Sequence, residues 1–194
     1  MKNMEMNEEK KQTDLKEKKS VNPEENEAKR AEARPEFEEY VLEVDRVSRT
    51  VKGGKRMRFR ALVIVGNRNG KIGIGIGKAS EVATAVAKAS TQAKKELVEV
   101  PIVNESIPYP VDIRQGAAHI ILKPAKPGSS VIAGGTIRVM CNLVGIRNLV
   151  AKMLGTANKI NNAQTTMLAF KKLARDWQEK QEKNISKVAK TEIK

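Results

Sequence analysis

Three things are scarce in this chain, and each scarcity removes a class of function. Among 194 residues there is one cysteine, Cys141, and one histidine, His119. An internal disulfide is therefore impossible, and no Cys/His cluster has the spacing of a metal site. Aromatic residues make up only 3% of the chain, too few for a platform that stacks the bases of a single strand. No apolar run reaches the roughly 18 residues of a membrane-spanning helix, and the N-terminus MKNMEMNEEKK lacks the apolar centre of a signal peptide. Catalytic pairs are missing as well. His119 falls in an expected strand, Cys141 on an expected apolar helix, and no two acids of the folded part read as general acid and base. The expectation is a soluble, cytoplasmic protein that needs no cofactor, holds no metal, takes no small-molecule substrate and is not an enzyme.

Positive charge is abundant instead. Formal net charge is +14 and the isoelectric point about 9.9, a balance that favours a polyanionic partner. Residues 1–36 hold nine Lys/Arg and ten Asp/Glu, whereas the remainder holds 28 and 13. All of the excess thus belongs to the part with hydrophobic periodicity. It is densest from Arg46 to Lys78, where ten basic residues occur without one acid and seven of the thirteen glycines gather. Ordinary surfaces intersperse both signs. The expected polyanion site is Arg46, Arg49, Thr50, Val51, Lys52, Gly53, Gly54, Lys55, Arg56 and Arg58, with Arg68, Asn69, Lys71 and Lys78. Gly73, Gly75 and Gly77 complete it as a strand that lets another backbone, helix or ligand come close. With so few aromatics, binding through the phosphates and shape of folded RNA fits best. A nucleotide loop does not fit. The phosphate-loop pattern would need glycine where Ile72 stands and Ser or Thr where Ala79 stands, and the dinucleotide pattern fails at Lys78 and Ser80.

Residues 1–36 have little to bury and are expected to be disordered, apart from a short helix from the Asn22-Pro23-Glu24-Glu25 cap towards Arg34. From Phe37 the pattern alternates as a strand, turns at Thr50–Arg56, and returns as Met57–Val65. KIGIGIGK is a third strand with isoleucines on one face and glycines on the other. Ser80 is the expected cap of a helix burying Val82, Val86, Ala89, Ala93 and Leu97, followed by a short edge strand near Val98–Val103. A second unit carries paired strands at Val111–Ile113 and Ala118–Leu122, a helix at Ile137–Val144 and a strand at Asn148–Leu154. Its last helix opens at Asn161 or Asn162 and buries Ala163, Met167, Phe170, Ala174 and Trp177, with a frayed basic tail at 178–194.

Three segments are long enough to identify a family. VSRTVKGGKRMRFRALVIVGNRNGKIGIGIGKASEV, PAKPGSSVIAGGTIR and NLVAKMLGTAN, in that order, closely resemble small-subunit ribosomal protein number five over about residues 37–177. The resemblance implies an α+β chain of two domains. Residues 37–104 would form a double-stranded-RNA-binding-like sheet with a helix, and 105–177 a two-layer α/β sandwich with a left-handed crossover. It also implies binding to small-subunit rRNA, a part in subunit assembly and translational accuracy, and contact with mRNA near its entrance. Small-subunit proteins four and eight would be its neighbours. The loop matching Thr50–Arg56 would reach rRNA near the decoding region, and Gly134, Gly135 and Arg138 match the region facing protein four. The alternative is a free-standing duplex-RNA-binding regulator built on the first domain, and neither reading involves a membrane.

Overall fold

The computed structural model describes residues 37–192, with side chains to residue 181. The disorder and short helix expected within 1–36 lie outside the described residues. Alternation from Phe37 becomes strand β1 (Glu38–Val51), antiparallel to β2 (Gly54–Gly66), which in turn pairs with β3 (Lys71–Ala79). A two-residue strand, β4 (Val98–Glu99), closes the order β1-β2-β3-β4. It is shorter than the expected edge strand, because Val103 makes an isolated bridge with Ser106 instead. Helix α1 (Val82–Lys95) covers one face of this sheet.

The glycine strand explains how closely α1 packs. In β3, Ile72, Ile74 and Ile76 point away from α1, while Gly73, Gly75 and Gly77 point at it. A Cβ on these three glycines would collide with the carbonyl oxygens of Ala93, Ala89 and Ala85 respectively. The buried stripe of α1 is accordingly Ala85, Ala89, Ala93 and Ser90: the expected Ala89 and Ala93 hold, Val86 is half-buried against the same cluster, Ala85 takes the place expected of Val82, and Leu97 lies beyond the helix's last residue. Val82 is 40% exposed. Valine would hold the helix off a strand that has no side chains. The helix also starts later than expected: Glu81, not Ser80, is its cap, without a side-chain capping bond. Glu39 of β1 secures the other edge by accepting hydrogen bonds from Lys94 (2.8 Å) and Ser90 Oγ (2.6 Å). Those two bonds lower its carboxyl below the usual range. The clasp is therefore complete at neutral pH and fades as acidification protonates the carboxylate.

The second sheet runs β5-β6-β8-β7, from β5 (Val111–Gln115), β6 (Ala118–Pro124), β7 (Val131–Ile132) and β8 (Leu149–Leu154). Helix α2 (Gly135–Val144) is the crossover between the parallel pair β7 and β8. The two-residue β7 has too short a run to carry a period and was not among the expected strands. Helix α3 (Lys159–Glu192) starts earlier and runs further than expected. Asn158 Oδ1 accepts the Ile160 amide at 2.9 Å, in the manner of an N-cap. The isoleucine face of β3, Leu62 and Ile64 share one core with α2, α3 and the inner face of the second sheet, around Ile120, Met140, Leu149 and Phe170. The sandwich of α1 and the glycine face is a separate, thinner layer.

Gly75→Val tests the packing directly. It should cost about 2–3 kcal/mol and lower the thermal midpoint by roughly 5–10 °C. Gly53→Ala, where a Cβ meets nothing within 4 Å, should stay within about 0.5 kcal/mol. Similar midpoints for the two variants would refute tight packing on the glycine face.

Candidate nucleic-acid interface

β3 ends at Ala79, opposite Phe59, whereas β1 and β2 continue together to the Val51–Gly54 rung. Five more rungs make a two-stranded ribbon about 17 Å long beyond the sheet. Lys52 and Gly53 form its tip, and Gly54 takes the left-handed φ of 144° that suits glycine. From Ser48 to Arg58 every residue is exposed, on both faces. Arg46, Arg49, Lys52, Lys55, Arg56 and Arg58 take part in no ion pair among the described residues. Register sharpens the charge further, since Arg49 lies directly opposite Arg56 and Thr50 opposite Lys55. Like charges facing across strands destabilise a sheet, and a bare two-stranded ribbon has little apolar burial to offset this. A polyanion laid along the ribbon would relieve that repulsion. Lys78 joins the site at its base through the Arg60 rung. Arg60 itself is engaged, donating to Asp45 at 2.6 Å.

Other expected residues lie elsewhere. Gly73, Gly75 and Gly77 are buried beneath α1 and offer RNA no surface; the close approach they permit is the helix's. Arg68, Asn69 and Lys71 sit at the far end of β2, roughly 40 Å of strand from the ribbon tip. In the turn between β2 and β3, Asn67 Oδ1 accepts the amides of Asn69 (2.8 Å) and Lys71 (3.0 Å). The amides of Arg68 and Gly70 donate to Leu143 and Val144 carbonyls, each at 2.8 Å, capping the end of α2. Arg68 is paired bidentately with Glu38 at 2.8 and 2.9 Å.

This turn brings Arg68 to Arg138 rather than to the ribbon. Arg68, Arg138 and Arg147 line one open cleft of about 520 Å³ with Ser130 and Asn142. Gly134 is the N-cap of α2, Gly135 its first residue, and Arg138 an exposed position one turn later. Arg147 is held by Glu105 at 2.8 Å. It has no place in the sequence-based site, because it is distant in sequence from the basic stretch. Asn148, buried beside it, accepts from the amides of Gly128 and Ser130 and so sets the cleft's rim.

His119 Nε2 is 2.6 Å from Asp112 Oδ1 on the outer face of the second sheet. Cys141 is buried, and burial pushes its thiol up to about 12. It should resist iodoacetamide in the folded protein at pH 8 and react only after unfolding; labelling at the rate of a free thiol would show that α2 opens. Among the described residues no group of three or more His, Cys, Asp or Glu could hold a metal ion, and no helix is long and apolar enough to cross a membrane.

The sequence of both sheets and their helices is similar to that of known proteins. The family model for the N-terminal domain of ribosomal protein S5 matches residues 37–101, and that for its C-terminal domain matches 113–183. The small ribosomal subunit protein uS5 of Thermotoga maritima is 51% identical over 138 residues, 71% of this chain and 78% of that protein. The uS5 of Thermotoga neapolitana is 50% identical over the same shares. The uS5c protein of Cyanophora paradoxa is 47% identical over 147 residues, 75% of this chain and 87% of its own. With both domain models matched in chain order on a two-domain α+β fold, the chain belongs to the ribosomal protein S5 family, structural and non-catalytic components of the ribosome in the cytoplasm.

Proposed function

We propose that the chain binds small-subunit rRNA through the β1–β2 ribbon, and that this binding supports subunit assembly and translational accuracy. The ribbon carries the reading: five cations on an arm exposed on both faces and a sixth, Arg46, at its base, none of them ion-paired among the described residues and with no acid between Arg46 and Arg58. In this reading residues 37–104 are the RNA-facing domain, with Arg46, Arg49, Lys52, Lys55, Arg56, Arg58 and Lys78 neutralising phosphates. Thr50, Val51, Gly53 and Gly54 shape the tip that reaches into folded RNA. Residues 105–177 are the partner-facing domain, with Gly134, Gly135 and Arg138 turned to small-subunit protein four. Protein eight and the mRNA near its entrance complete the surroundings. Arg68, Asn69 and Lys71, roughly 40 Å of strand away from the ribbon tip, offer the rRNA a second and separate point of contact.

Filter binding to a small-subunit rRNA fragment tests the ribbon. If all seven cations neutralise phosphates, log K should fall against log salt with a slope of about −5 to −6. Replacing Arg49 and Arg56 together with Ala should flatten that slope by about 1.5–2 and weaken binding. The same change removes a facing like-charge pair, so thermal stability should hold or rise by up to about 1 kcal/mol. A steep slope left intact by the double variant would place the RNA contacts elsewhere.

A further inference from the structure

An open hollow of about 300 Å³ lies between α1 and α3, at the edge of β3. β4 pairs with β3 only at Lys71 and Ile72, so from Gly73 onward that edge has no strand partner among the described residues. Ile74 and Ile76, with Met167 and Leu168 of α3, give the hollow an apolar lining. Its rim is polar. Gln92 and the C-cap residue Glu96 come from α1, one turn apart, Gln115 ends β5, and Gln164 stands one turn before Leu168. These four are exposed. Gln115 Oε1 is 3.5 Å from Thr165 Oγ1, but the side chains of Gln92, Glu96 and Gln164 make no hydrogen bond or ion pair among the described residues. Lys171 stands at the mouth and also borders a neighbouring hollow with Lys172. Neither lysine forms an ion pair among the described residues.

We propose that this hollow takes a single rRNA base turned out of its stack, adenine or cytosine, with its phosphate at Lys171 and Lys172. The proposal rests on the rRNA binding ascribed to the ribbon, and adds to it a contact that reads a base. Aliphatic side chains can cover the faces of an extruded ring as aromatic ones do, and unstacked bases are what proteins read in RNA. Adenine and cytosine each present a ring-nitrogen acceptor beside an exocyclic amine. A glutamine amide donates to the first and accepts from the second, and Glu96 supplies a further acceptor for the amine. Uracil and guanine carry a carbonyl where that amine would be, and the carboxylate repels it. A peptide strand fits less well. Adding one to the edge of β3 takes several consecutive rungs, whereas the hollow opens only on Ile74 to Ile76.

Dimethyl sulfate tests this, because it methylates the very ring nitrogen that the glutamines would engage in adenine and cytosine. In reconstituted small subunits one unpaired adenine or cytosine should be at least about fivefold less reactive with the unsubstituted chain than with Gln92→Leu and Gln164→Leu together. Gln164→Glu keeps the size of the side chain and removes only its donor, and should expose the same nucleotide even if the double variant fails to assemble. A benzophenone carried on Leu168→Cys should cross-link to that nucleotide, with Cys141 silent because it is buried. Amides release no counterions, so the salt slope of rRNA binding should be the same in the glutamine variants. A failure of the ribbon would instead appear as a shallow slope in the unsubstituted chain, so the two readings fail separately. Identical reactivity in all subunits overturns the proposal. A cross-link to protein overturns it equally, and would assign the hollow to a peptide.

Discussion

The structure depends on a match between two rises. Two residues of strand advance about 6.6–6.8 Å, and four residues of helix about 6.0 Å. Gly73, Gly75 and Gly77 can therefore each face one carbonyl of the series Ala93, Ala89, Ala85, with a mismatch of only about 1.5 Å across all three rungs. A fourth rung would drift further out of step. Alanine is as necessary as glycine, because any longer side chain at 85, 89 or 93 would reopen the gap that the glycines close. The layer buries little apolar area per residue, so it defines where α1 lies more than it stabilises the whole.

Once α1 occupies the glycine face, the isoleucine face has one destination. Ile72, Leu62 and Ile64 enter the core shared with α2 and α3, and β3 is used on both sides. A sheet closed on both faces has no flat surface left for a polyanion. What remains is the part of β1 and β2 that outruns β3, where neither face is covered and side chains can be charged without being buried. The basic residues lie along the ribbon because there they carry no desolvation cost.

Much of this was legible in the chain itself, and the failures have physical causes. The alternation of β1 and β2, the two-faced β3 and the basic hairpin can be read from spacing, and the glycine pattern announced that something comes close. It could not say what: a helix, a ligand and an RNA backbone all require the same missing Cβ. Hydropathy misassigned the buried stripe of α1 because it ranks Val82 above Ala85, whereas the glycine ladder selects for smallness. The docking of the β2–β3 turn on α2 left no sequence signal, since its bonds run from the amides of Arg68 and Gly70 to the carbonyls of Leu143 and Val144. Backbone groups are identical at every position, so charge alone grouped Arg68 with the ribbon.

That docking makes the two domains one mechanical body. A helix must satisfy its last carbonyls, and α2 does so partly with amides borrowed from the other domain. Gly145 ends α2 in the left-handed region at φ 98°, where a side chain would strike the Arg68 carbonyl, and a Cβ at Gly66 would strike that of Leu143. Both sides of the junction are pared to backbone, so neither can slide without leaving buried polar groups unpaired, at about 1–3 kcal/mol each. β2 runs unbroken from this junction to the ribbon tip, and α2 runs from it to Gly134 and Arg138. A load applied to the ribbon therefore reaches α2 through hydrogen-bonded structure alone, with no flexible linker between the ribbon and the N-terminal end of α2.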